Sequence, residues 1–226
     1  MVHPHRVYLG MFPLPANIYA EIAAFAASVI FWSNIKTSVL RWLCPFLLFI
    51  VMVELTGRYI YKELHVSNAW LYNISVPAEY LFYTMLFYFH YSLKYNRILA
   101  KGFLLIFPVW VVVSILFING FYTFNFNFLK TGSICISFFC LLYFYEVLTS
   151  EAMLNPFKQP MFWIACGLFL FNAGEFAYNS FADILMKKWS YGKKLFSEIN
   201  NNLIFVLYSA IIIAIVLPSW AHREQT

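Results

Sequence analysis

The stretch MFWIACGLFLFNAGEFAYNS, residues 161–180, decides what kind of molecule this is. Its first half is an unbroken apolar run of the sort that fills a membrane-crossing helix, which needs roughly 20 mostly apolar residues. Its second half places a carboxylate, Glu175, between Asn172 and Asn179 with no proline among them. An unpaired polar group in hydrocarbon costs several kcal/mol. A helix with this sequence therefore turns Asn172, Glu175 and Asn179, spaced three and four apart, toward other protein groups or water.

The rest of the chain has the same character. Of its 226 residues 62% are hydrophobic, 22% aromatic and only 11% charged, and the mean hydropathy is +0.71. A soluble domain carries roughly 45–50% apolar and about 25% charged residues, so the composition points to an integral membrane protein. Its apolar segments are much longer than the ~10-residue alternating strands of an outer-membrane barrel. The expected class is all-α. Seven stretches qualify as transmembrane helices, at about 15–33, 39–60, 69–91, 99–119, 130–149, 160–183 and 197–218. The expected architecture is a single bundle of seven transmembrane helices over residues 1–226, with a short N-terminal segment (1–14) and a short tail (219–226). The fourth stretch, with Ser114 as its one interior polar residue in LLIFPVWVVVSILF, belongs on the periphery.

Loop charge sets orientation through the excess of lysine and arginine on the cytoplasmic side. Here eight basic residues fall on the side of the N-terminus and seven on the other. The early loops SNIKTSVLR and SLKYNRILAK, which carry most weight, put five of them opposite the N-terminus. The expectation is an outside N-terminus and a cytoplasmic C-terminus. The opening MVHPHRVYLGMFPLPAN lacks the basic start and apolar core of a cleavable signal, so the first helix is read as retained. Cys44, Cys135, Cys140 and Cys166 all sit in apolar runs and suggest buried thiols rather than a disulfide framework.

Four of the seven stretches carry a polar stripe at helical spacing. These are Asn17, Glu21 and Ser28 in the first; Tyr72, Ser75, Glu79, Tyr83 and His90 in the third; Asn172, Glu175, Asn179 and Asp183 in the sixth; and Glu198, Asn202 and Ser209 in the seventh. Antiparallel threading puts Glu21, Glu54, Glu175 and Glu198 in the half nearest the N-terminal side, with Glu79 closer to the middle and only Glu146 toward the other side. The expected feature is a cup lined by carboxylates and amides. Its candidate ligand-binding residues are Glu79, Glu175, Asn172, Asn179, Tyr83, Asn202, Glu21 and Asn73, with Glu79 and Glu175 as proton or cation candidates. An ionisable group inside a membrane is a functional hypothesis by default. The competing reading is a set of neutral, hydrogen-bonded groups that lock helices together. Glu54 has Arg58 four residues on and reads as half of a structural ion pair. Pro77, two residues before Glu79, frees a backbone carbonyl near Asn73.

Several chemistries are excluded or weakened. No lysine follows Lys194, so the last helix has no Schiff-base lysine of the retinal type. His3, His5 and His65 lie toward one side and His90 and His222 toward the other, so no deep three-histidine zinc site is expected. There is no GxSxG elbow and no phosphate loop. The net charge of +5 is spread over both ends, which argues against a nucleic-acid partner. No cofactor and no metal are expected, and no catalytic residue is assigned.

The segments VELTG, WLYNISVPAEYLFY, LLYFYE and PMFWIACGLFLF, punctuated by Glu54, Asn73, Glu79, Tyr145 and Glu146, resemble a family of small bacterial seven-helix inner-membrane proteins with no established activity. The resemblance covers nearly the whole length. It implies a bacterial inner-membrane location and, because such genes often lie near sensor-kinase or response-regulator genes, a tie to signalling. The expected function is a receptor-like or accessory membrane module that binds a small cationic ligand or lipid headgroup and acts through a protein partner. A proton- or cation-coupled transporter is the first alternative, and a lipid-modifying membrane enzyme the second.

Overall fold

The computed structural model describes residues 14–150, 155–188 and 192–223, with the side chains of 178, 181–197 and 218–223 outside that description. The expectations that fall on His3, His5, His222 and Asp183 lie outside the described residues or side chains. Within them the protein is an all-α bundle of eight helices. These are α1 (Ala16–Ile30), α2 (Trp32–Ile35), α3 (Leu43–Lys62), α4 (Ala69–His90), α5 (Lys94–Ser114), α6 (Phe126–Thr149), α7 (Pro160–Lys188) and α8 (Gly192–Arg223).

Local chemistry fixes several starts and stops. Ser38, Asn125 and Asn155 each accept a backbone N–H two residues on through their side-chain oxygens, at 3.1, 3.0 and 3.2 Å, the usual way a helical turn satisfies its first donors. A π turn over Ile115–Asn119 extends α5 and ends at Gly120, whose φ of 75° suits a residue without Cβ. The start of α5 is capped from another helix. Glu146 of α6, buried, accepts from Ser92 N at 2.7 Å, Leu93 N at 3.1 Å and Asn96 Nδ2 at 2.7 Å.

Six helices close into a ring in the order α1, α3, α4, α6, α7, α8 and back to α1, while α5 stands outside it against α4 and α6. The peripheral place expected for the fourth apolar stretch is found. The seam between α7 and α8 is tight because Gly167 and Gly174 present no side chain. A Cβ on Gly167 would come within 2.7 Å of the Ala210 Cβ, and one on Gly174 within 2.8 Å of Leu203. An aromatic layer of Phe87, Tyr91, Phe103, Phe139 and Tyr143 packs α4, α5 and α6 together.

The seven-span expectation is corrected here. Among the described residues, five helices are long and apolar enough to cross a membrane: Val39–Lys62, Lys94–Asn119, Phe126–Thr149, Pro160–Ala177 and Glu198–Leu217. The first stretch breaks at Phe31, which leaves α1 with 15 residues, about 22 Å of helix against a hydrocarbon core of about 30 Å. The third stretch forms a 22-residue helix, α4, but is not apolar enough. Its tyrosines, Asn73, Ser75, Glu79, Thr84 and His90 lower its hydropathy. It tolerates them because α3, α5 and α6 surround it. Large apolar side chains such as Phe117 (80% exposed) and Leu148 (83% exposed) face outward from the bundle, as suits a chain embedded in lipid. The protein is a multi-pass membrane protein with buried polar groups in its interior.

Candidate functional site

All six ring helices turn side chains into one cavity of about 360 Å³. From α1 come Asn17 and Glu21, one turn apart. From α3 come Ile50 and Glu54, also one turn apart. The inner face of α4 gives Tyr72, Val76, Glu79, Tyr80 and Tyr83, α6 gives Leu129, and the loop before it gives Phe124. Phe171, Asn172 and Glu175 come from α7, and Asn200, Ile204, Leu207 and Tyr208 from α8. The lining sits in the half of the bundle where α1, α4, α6 and α8 begin and α3 ends. That is the half in which threading placed the carboxylates.

Four carboxylates therefore share one chamber: Glu21, Glu54, Glu79 and Glu175, each from a different helix. No lysine, arginine or histidine is among the lining residues described. Glu175 is held in place. Its Oε2 accepts from Ser133 Oγ at 2.9 Å and from Tyr80 Oη at 3.3 Å, and the two hydroxyl oxygens are 2.8 Å apart. Tyr80 reaches this position because residue 132 is glycine; a Cβ there would collide with the Tyr80 ring. Glu54, expected to pair with Arg58, lines the chamber and accepts from Tyr72 Oη at 3.3 Å. Tyr72 in turn lies over Gly57, where a Cβ would sit 2.9 Å from its hydroxyl oxygen.

Three buried polar atoms on this lining have no hydrogen-bond partner among the described residues: Glu21 Oε2, Tyr83 Oη and Asn172 Oδ1. Buried polar groups are paired in the great majority of cases, so each unpaired one calls for an explanation. The orientation of Asn172 is fixed, since its Nδ2 donates to Leu168 O at 2.8 Å and leaves Oδ1 as the free acceptor. All three are closed off within the chamber wall, on residues 3%, 2% and 0% exposed.

The remaining expected residues are elsewhere. Asn73 does not line the chamber. Its Nδ2 donates to Phe121 O and Thr123 O at 2.8 and 2.9 Å, and its Oδ1 accepts from Asn125 N at 3.1 Å, so it ties the α5–α6 loop to α4. Asn179 Nδ2 donates to Glu175 O within α7 at 2.9 Å and is also off the lining. Asn202 is exposed, because α8 is rotated to bury Leu207, Tyr208, Ile211 and Ile215, and that rotation brings Asn200 inward instead. Glu21, Glu79, Tyr83, Asn172 and Glu175 lie on one lining. Tyr80, Ser133, Asn200 and Tyr208 were missed; the only signal for any of them was the asparagine run at 200–202, which did not tell which member faces in.

Among the described residues no three His, Cys, Asp or Glu side chains are grouped closely enough to hold a metal ion. The four carboxylates come from four helices. Compared with known protein families, with curated proteins and with solved structures, the chain shows no significant match.

Proposed function

We propose that this protein is a binding module of the bacterial inner membrane, which takes a small organic cation into the chamber and passes the event on to a protein partner. The observation that carries the reading is the lining itself. Residues carrying four carboxylates line one space with no basic side chain among the lining residues described. Aromatic faces from Tyr72, Tyr80, Tyr83, Phe124, Phe171 and Tyr208 surround it. Carboxylate and aromatic groups together suit an organic cation, since a ring face attracts positive charge by roughly 0.5–2 kcal/mol. In a low-dielectric chamber that attraction adds to charge-assisted hydrogen bonds.

Binding is favoured over transport by Glu146, the carboxylate expected toward the other end, which is buried and occupied in capping α5. The half that holds the chamber is proposed to face outward, in line with an outside N-terminus. The tie to signalling rests on the family resemblance.

The test is calorimetry on the purified protein in lipid nanodiscs against primary and quaternary ammonium ions, with Glu79→Gln as control. Saturable binding by at least one cation, lost in a Glu79→Gln protein of unchanged melting temperature, supports the reading. Absence of saturable binding by every cation tried overturns it.

A further inference from the structure

We infer that a groove between α3 and α4 holds an acyl chain of an acidic phospholipid, with the headgroup phosphate taken by Arg41. The groove measures about 350 Å³ and has no charged side chain in its lining. Trp42, Phe46 and Phe49 form its α3 side, and Ala78, Phe82 and Met85 its α4 side. Phe46 is 8% exposed and stacks on Phe82 at 3.8 Å, so this pair closes the groove toward the core. Trp42 and Phe49 are exposed. None of the groove's residues lines the chamber. In a multi-pass membrane protein, an exposed apolar groove suits a hydrocarbon chain.

Charge selects the headgroup. Trp42 stands just before α3 and Phe49 seven residues further, about 10 Å along the helix axis. The Arg41 guanidinium lies 5.6 Å from the centroid of the Trp42 ring, which puts a cation beside the Trp42 end of the groove. A guanidinium fork matches two phosphate oxygens. Residues 63–68 join α3 to α4 as antiparallel neighbours, so the end where α3 begins is also the end where α5 begins. Lys36, Lys94 and Arg97 are exposed there. Among the described residues the one carboxylate at that end is Glu146, which is buried with both oxygens engaged in capping α5. A headgroup of net negative charge is attracted to such a surface. The ammonium of a zwitterionic headgroup would meet the same cations with like charge.

The experiment reads tryptophan quenching in phosphatidylcholine nanodiscs that contain a small fraction of either brominated phosphatidylglycerol or brominated phosphatidylcholine. The difference between the unaltered protein and Trp42→Phe isolates Trp42 from the other tryptophans. Brominated phosphatidylglycerol is expected to occupy the Trp42 position with a preference of roughly 5- to 30-fold. Arg41→Gln should cut that preference to within about threefold of none. Ala78→Phe, which fills the groove, should reduce quenching of Trp42 by both lipids. Melting temperatures report folding of the variants. The Arg41 and Ala78 changes fall on an exposed and a half-buried residue. Equal quenching of Trp42 by the two lipids would overturn the acidic-lipid assignment. An undiminished preference in Arg41→Gln would remove Arg41 from the site, and undiminished quenching in Ala78→Phe would remove the chain from the groove. Failure of both lipids to quench Trp42 would mean that protein covers this face, and the inference would fall.

Discussion

The same substitution, Glu→Gln, should have opposite consequences at Glu146 and Glu175, and the difference follows from which oxygens are used. At Glu146 both are engaged. Oε1 accepts from Leu93 N and Asn96 Nδ2, and Oε2 accepts from Ser92 N. An amide offers one acceptor and one donor group. Either orientation sets an NH2 against at least one N–H, so at least one bond is lost and replaced by donor facing donor. An unsatisfied buried group costs roughly 1–3 kcal/mol, and the surviving bonds drop from charge-assisted to neutral. The sum is about 2–4 kcal/mol. At Glu175 both bonds go to Oε2. The glutamine oxygen can keep them while its NH2 takes the place of Oε1, and only the charge-assisted part is weakened, by about 1 kcal/mol. Glu146→Gln should therefore lower the melting temperature in detergent clearly and leave cation affinity unchanged in the molecules that remain folded. Glu175→Gln should melt close to the unaltered protein and lose cation affinity. The measurement is a melt monitored by tryptophan fluorescence beside calorimetric titration. Equal destabilisation by the two would refute the division between a capping carboxylate and a binding one.

Tyr83→Phe removes a buried hydroxyl with no partner among the described residues, so it should be neutral or slightly stabilising by melting and leave cation binding unchanged. Gly132→Ala drives a Cβ into the Tyr80 ring. Overpacking of this kind costs about 1–3 kcal/mol, and the displaced Tyr80 should weaken cation binding beyond the effect of Tyr80→Phe. Asn73→Ala removes three hydrogen bonds to the α5–α6 loop, one of them to the buried Asn125. It should cost about 2–4 kcal/mol and speed limited proteolysis at residues 120–125; an unchanged cleavage rate would remove Asn73 from its tethering role.

The positions of the long helices were legible because apolar runs bounded by polar turns leave few choices, and the grouping of the carboxylates was legible because antiparallel threading fixes depth. Rotation about a helix axis was less so. On α7 the spacing of Asn172 and Glu175 picked the inner face, but Asn179, one turn further, bonds within its own helix. On α8 the polar residues Glu198, Asn202 and Ser209 suggested one face, and the packing of Leu207, Tyr208 and Ile211 selected another. Where a helix carries more apolar than polar residues, burial of the large side chains decides its rotation. Nothing in the sequence near Glu54 revealed Tyr72 on the neighbouring helix, which donates to it.

The two stretches that failed as membrane spans are the two that give the chamber much of its polar lining. Helix α1 is too short and α4 too polar to cross a bilayer on its own merits, and between them they supply Asn17, Glu21, Tyr72, Glu79, Tyr80 and Tyr83. This is one constraint seen twice. A helix can bring carboxylates and tyrosines into an apolar bundle only when its neighbours shield them from lipid. A shielded helix is then free of the hydropathy that lipid contact demands. The converse holds for α5, which stands outside the ring, contributes nothing to the chamber and is the most hydropathic of the membrane-length segments. Exchanging Tyr80 and Tyr83 of α4 for leucine would raise its hydropathy toward that of a span. The same change would remove the support of Glu175 and one of the three unpaired atoms. Such a variant should insert as readily as the unaltered protein, melt lower because buried ring volume and the Tyr80 hydrogen bonds are lost, and bind no cation in the molecules that fold. Retained binding would mean that the polarity of α4 serves the scaffold alone.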